Sequence, residues 1–99
     1  RAPMIIIVVS EIKSHPKVPE IEQMLSTAAA AENILLALNA LNYAGMWRTG
    51  VFALNDKISK YLGLEDNQKV LGYLYVGTPV GKQKNIPEMN LSDYVTKWI

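Results

Sequence analysis

The sequence contains no cysteine, which excludes disulfides, thiolate metal sites and a cysteine nucleophile. Its single histidine, His15, cannot make a zinc site alone. Neither sign of charge is in excess: ten lysines and arginines against nine aspartates and glutamates leave a formal net charge of +1. With lysines and acids interspersed there is no basic stripe for nucleic acid or anionic lipid, so neither partner is expected. A phosphate loop, a GxSxG elbow, a GxGxxG turn and carboxylates paired at catalytic spacing are all missing. The opening apolar run is about six residues, short of the roughly 7–15 of a secretory signal core. The chain starts at Arg1 rather than methionine and reaches a strand-like run almost at once, so it reads as part of a longer polypeptide. Cysteine-free composition suits the cytoplasm.

What is present is an apolar chain of 99 residues, 49% hydrophobic. That describes one globular domain or part of one. A chain this short buries only about two-thirds of its unfolded surface, and so apolar a one is expected to complete its core against a second chain or segment.

"PMIIIVVS" is a continuous β-branched run, Ile5 to Val9, and predicts a central strand covered on both faces. "EIKSHPKVP" follows as a charged, proline-bearing surface loop. His15 falls in it with no orienting carboxylate nearby in sequence, so it reads as a solvated loop residue in preference to a general acid or base. From Pro19 to about Tyr43 the chain has no internal proline or glycine, is rich in alanine and leucine, and carries acids in its first turn. This predicts a long helix. Ile21, Met24, Leu25, Ala28, Ile34, Leu35, Leu38 and Leu41 keep helical spacing, yet the opposite side is largely alanine and leucine too, which predicts burial nearly all round. Glu32 and Asn33 oppose a membrane-spanning reading, since a central acid costs about 2.5–3.5 kcal/mol on insertion scales. They are read as polar contacts in a packed core or subunit interface. The small residues Ala28 to Ala31 permit close approach of a neighbouring helix.

Further on, Asn55 or Asp56 can cap a short helix bearing Ile58, Tyr61 and Leu62 and closed by Gly63. "QKVLGYLYVGT" predicts a second strand covered on both faces, with Gly72 marking a close approach or bulge. The tail from Pro79 to Ile99 has little helical pattern and ends in "YVTKWI", which needs a surface to lie on.

"GMWRTG", Gly45 to Gly50, is the most unusual passage, with a tryptophan, an arginine and a hydroxyl between two glycines. One reading is a turn in which Trp47 fills a core edge and Arg48 pairs with an acid. The other is a site for a planar, anionic or heteroaromatic ligand, with backbone N–H groups freed by the glycines and Trp47 and Arg48 packing on or beside the ring.

The order of "RAP" plus an aliphatic strand, "HPKVPEIEQMLSTAAAAENILLALNALNYAGMWRTG" and "KVLGYLYVGTP" resembles the C-terminal half of the flavin-dependent nitroreductase family, in its short, compact branch. The resemblance covers nearly the whole chain and makes residues 1–99 the C-terminal portion of a single domain. It implies an α+β nitroreductase-like sandwich, a mixed, mainly antiparallel sheet flanked by helices, assembled as a homodimer with FMN at the interface. The long helix would then be the dimer core and the tail would cross the partner. The implied activity is FMN-dependent NAD(P)H oxidoreduction, with hydride passing by ping-pong through flavin N5 to a small-molecule acceptor such as a nitroaromatic or quinone. The protein itself tunes the flavin. Trp47, Arg48 and Thr49 correspond to the family's flavin-lining loop, in which Thr49 serves through its backbone N–H and Gly50 keeps the approach open. Ala37, Leu38, Asn39, Ala40, Leu41 and Asn42 correspond to the nicotinamide-cofactor contacts, and Lys82 and Lys84 to late basic residues near the FMN phosphate. The family's N-terminal arginine-arginine-serine motif and a further asparagine are not in this sequence, so by itself it is expected to hold an incomplete flavin site. The alternative from another class is a non-enzymatic α+β dimerisation module, in which the same apolar helix pairs and the glycine-flanked loop merely packs.

Overall fold

A computed structural model describes residues 2–99. In chain order it has strand β1 (Met4–Glu11), helix α1 (Glu20–Ala40), strand β2 (Ala44–Arg48), short helices α2 (Gly50–Leu54) and α3 (Asp56–Tyr61), strand β3 (Gln68–Gly77) and a single 3-10 turn at Leu91–Asp93. The strands form one antiparallel sheet of order β1-β3-β2. The architecture is the expected α+β one, with a wholly antiparallel sheet among the described residues.

β1 departs from expectation. It lies at an end of this sheet, with Met4, Ile5 and Ile7 exposed, while β3 takes the centre. A β-branched run specifies extended backbone but not a place in the strand order. Along β3 the burial alternates, with Val70, Gly72, Leu74 and Val76 buried and the residues between them half-buried. Val8 pairs with Gly72 and Val9 with Val70, leaving Leu71 without a partner on β1. This is the bulge anticipated at Gly72.

α1 lays one stripe, including Ala31, Ile34 and Leu35, against the sheet, where Ala31 and Leu74 are fully buried beside Val8. A hydroxyl pair supports the same contact: Thr27 and Ser10 approach to 3.0 Å, and Ser10 is buried. The Thr27 hydroxyl donates to the Gln23 carbonyl at 3.1 Å, which leaves its oxygen free to accept from Ser10. The helix is not buried all round in this chain. Ile21, Leu25, Leu36 and Leu41 are exposed, as are Ala29, Ala30, Glu32 and Asn33, because the three strands provide only one surface.

The helix ends at Ala40, short of Tyr43, because Asn42 turns into the left-handed region at φ 66°. Tyr43 N–H donates to the Leu38 carbonyl and Asn42 N–H to that of Asn39, a Schellman closure. α3 closes in the same way through Gly63 at φ 76°, with Leu64 N–H on Ser59 and Gly63 N–H on Lys60. Its start is the anticipated Asn55 cap, whose side chain accepts from Lys57 N–H at 2.9 Å.

The β1–α1 loop is tied by side chains. Gln23 accepts from Lys13 N–H and donates to the Lys13 and Val18 carbonyls, while His15 Nδ1 accepts from the N–H groups of Lys17 and Val18. His15 is therefore an exposed loop residue, as expected, with a bonding role in the turn.

Candidate functional site

"GMWRTG" is a strand rather than a loop for its first four residues. Gly45 to Arg48 pair with Val76 to Tyr73 of β3, and the chain leaves the sheet only at Thr49. Side chains alternate along a strand, so Trp47 and Arg48 point to opposite faces. Trp47, opposite Leu74, packs against the Val8, Ala31 and Leu74 cluster beneath α1. Arg48, opposite Tyr73, is exposed on the other face. With an extended backbone the two side chains do not share a face.

The core-side tryptophan explains the glycine opposite it. A Cβ on Gly72 would collide with the Trp47 indole, meeting Nε1 and, at 2.9 Å, Cδ1, and would lie 3.1 Å from the Arg48 carbonyl. The indole N–H donates to the Thr49 hydroxyl at 3.1 Å, and that hydroxyl donates to the Leu71 carbonyl at 2.7 Å. Thr49 thus has a side-chain role that sequence reasoning missed. No local signal could have revealed it, since Leu71 is 22 residues away.

At the strand exit Gly50 has φ 54°, and a Cβ there would meet nothing within 4 Å. The backbone is open to solvent, in a conformation that disfavours any side chain. Arg48 forms no ion pair among the described residues, where Lys13 with Glu11, at 4.0 Å and exposed, is the one pair found. An uncommitted guanidinium next to an open, glycine-turned backbone suits a planar ligand that gathers negative charge. The donors present therefore fit the edge of a flavin ring. On the Arg48 face, Tyr73 donates its hydroxyl to the Phe52 carbonyl at 2.9 Å and so secures α2 just beyond the exit.

The remaining expected residues lie elsewhere. Ala37 to Ala40 are helical, while Leu41 and Asn42 form the α1 cap. Leu38 faces the sheet, lining a cavity of about 320 Å³ with Pro3, Met4, Tyr43, Val76, Gly77 and Thr78. Leu41 and Asn42 are exposed. Lys82 and Lys84 stand on an exposed irregular segment after the sheet, beside Gly81 at φ 79°, with no ion pair among the described residues. A larger cleft of about 500 Å³, between Met24, Ala53, Ser59, Leu64 and Val70, contains none of the expected site residues. No helix among the described residues is long and apolar enough to cross a membrane.

The sequence profile of the nitroreductase family matches residues 1–78, a span that takes in the whole sheet and the strand exit. The chain belongs to the nitroreductase family. Two curated relatives carry the name "Putative NAD(P)H nitroreductase". YdjA of Escherichia coli strain K12 is 34% identical over 89% of this chain and 50% of its own length. The Haemophilus influenzae protein is 31% identical over 97% of this chain and 53% of its own. The chain thus spans about half the length of the curated relatives it matches.

Solved structures agree on the fold. The nitroreductase-like family protein from Bacillus cereus superposes with a TM-score of 0.80 at 19% identity, covering 96% of this chain and 50% of that one. A tyrosine-to-phenylalanine mutant of the FMN and NADPH-dependent nitroreductase NfnB, from Sphingopyxis sp. strain HMH, gives 0.72 at 15% identity, over 96% of this chain and 42% of that one.

Proposed function

We propose that this chain is the C-terminal portion of an FMN-dependent NAD(P)H oxidoreductase that works as a cytoplasmic homodimer. The observation that carries the reading is the family match across residues 1–78, which includes a strand exit where an unpaired Arg48 adjoins the open backbone at Gly50. FMN, when bound, would supply a hydride-accepting and hydride-donating centre at N5.

The chain's own residues would bind and tune it. Arg48 offers a permanent positive charge, which favours the more anionic reduced ring. Thr49 and Gly50 present main-chain N–H donors, and the missing Gly50 side chain leaves room for a ring. Trp47 acts from the core side, holding the strand that carries Arg48. The α1 end, Ala37 to Asn42, is assigned to the nicotinamide cofactor, and Lys82 and Lys84 to the FMN phosphate. The two substrates would take turns, NAD(P)H first and then a nitroaromatic, quinone or related acceptor. The uncovered side of α1, with Ile21, Leu25 and Leu36, is assigned to the dimer interface, and the exposed tail to the partner's surface.

The test is to express the complete coding sequence that contains this chain and purify it without added flavin. A yellow protein that oxidises NAD(P)H only when an acceptor is present supports the assignment. A folded, colourless protein that neither takes up FMN nor oxidises NAD(P)H overturns it, leaving the interaction-module reading.

A further inference from the structure

We infer that the Thr49 hydroxyl is the positioning group of the strand exit, setting the place of Arg48 and Gly50 toward the cofactor by locking the Trp47 indole to the bulge of β3. The inference rests on the FMN assignment above. Three observations carry it. The Thr49 oxygen accepts from the Trp47 indole N–H at 3.1 Å and donates to the Leu71 carbonyl at 2.7 Å, so both functions of one hydroxyl are used. Leu71 is the residue that the bulge leaves without a partner on β1, so the bond runs from the end of β2 to the irregular point of the central strand. Gly72, which adjoins it, has no room for a Cβ because the indole occupies that space.

The hydroxyl therefore closes a ring of contacts, Trp47 to Thr49 to Leu71 and back across Gly72, and Arg48 lies inside this ring in sequence. Its backbone is held on both sides, while its side chain projects from the opposite face. The chain then turns at Gly50 into α2. Without the hydroxyl, the exit has lost the only side-chain bond among the described residues that ties Thr49 to β3. A positioned donor set holds a ligand better than the same donors left mobile.

Serine keeps both hydrogen-bonding functions, whereas valine keeps the shape and alanine the smaller volume without either. The experiment compares wild type, Thr49→Ser, Thr49→Val and Thr49→Ala in the complete FMN-loaded protein, with folding followed by circular dichroism. FMN dissociation is measured by flavin fluorescence. The Trp47 indole N–H resonance is followed by NMR and is assigned by its loss in a Trp47→Phe variant. Thr49→Val is expected to weaken FMN binding roughly tenfold, through loss of the preorganisation of the exit, and to shift the indole resonance and speed its exchange. Thr49→Ser should restore both. Should Thr49→Val fail to fold, Thr49→Ala carries the same expectation.

Unchanged FMN affinity in the valine and alanine variants would overturn the inference while leaving the FMN assignment standing, as would failure of serine to rescue. A wild-type protein that folds and takes up no FMN overturns the assignment, and with it the inference. In that case the serine and valine indole signals still show whether the hydroxyl holds Trp47, which separates a wrong ligand from a wrong contact.

Discussion

Gly45 of β2 packs directly under α1: a Cβ built on it would stand 2.8 Å from Leu35 Cδ2 and 3.1 Å from Leu38 Cδ1. Gly72 of β3 is tighter still, against the Trp47 ring and the Arg48 carbonyl. The two positions differ in what must yield. At Gly45 the obstacles are the far ends of flexible leucines, whereas at Gly72 they are a flat ring held by a hydrogen bond and a length of backbone. Gly72→Ala is therefore expected to lose about 1–3 kcal/mol of stability, the usual range for overpacking, and Gly45→Ala less. Urea denaturation of the complete protein checks the order, and an equal or reversed pair of values would refute the role given to Trp47.

Asn42 gives a second stability test. Its φ of 66° closes α1, and left-handed backbone costs a side chain with a branched Cβ about 1–2 kcal/mol. Asn42→Val should be destabilising by about that much, while Asn42→Gly should be neutral or better. Thermal melts of the two variants would show the difference, and equal melting temperatures would show that the cap contributes nothing to stability.

Arg48→Ala addresses the proposed chemistry. Hydrogen bonds to a charged group contribute about 1.5–3 kcal/mol, and an exposed one belongs at the low end. FMN retention through gel filtration should fall about tenfold, and stopped-flow bleaching of the flavin by NAD(P)H should slow. Circular dichroism should not change, since the side chain is exposed and makes no ion pair among the described residues. Full flavin content with parental reduction rates would remove Arg48 from the site.

Expressed alone, the 99-residue chain should self-associate. Leu25 and Leu36 on α1 are each 60% exposed, and Trp98 in the tail is 94% exposed. An apolar surface of that extent marks an interface. Sedimentation velocity at low micromolar concentration should show dimers or larger species. A compact, cooperatively folding monomer would count against the dimer face assigned to α1.

The sequence by itself determined β1, α1, α3 and β3 as local elements, because each is specified by neighbours, whereas β2 and α2 went unread. The alanine-rich run without proline or glycine sets α1, Asn55 and Gly63 bracket α3, and Gly72 amid aliphatic residues marks the bulge. It also carried the family, through "GMWRTG" and "LGYLYVGTP" in their order. The tertiary structure decided what depends on residues far apart in the chain. Strand order was one such outcome, since the run Ile5 to Val9 predicted a central strand, and only its pairing with β3 puts β1 at an end of this sheet. The division of Trp47 from Arg48 was another: adjacency in sequence suggested a shared ligand, but pairing of β2 along Tyr73 to Gly77 makes the passage extended and sends the two side chains to opposite faces. The part played by Thr49 came from the fold alone, because its hydroxyl meets Leu71 only when β2 and β3 lie side by side. Local propensity acts over a helical turn or a strand pleat, whereas a contact across 22 residues exists only once the sheet has formed.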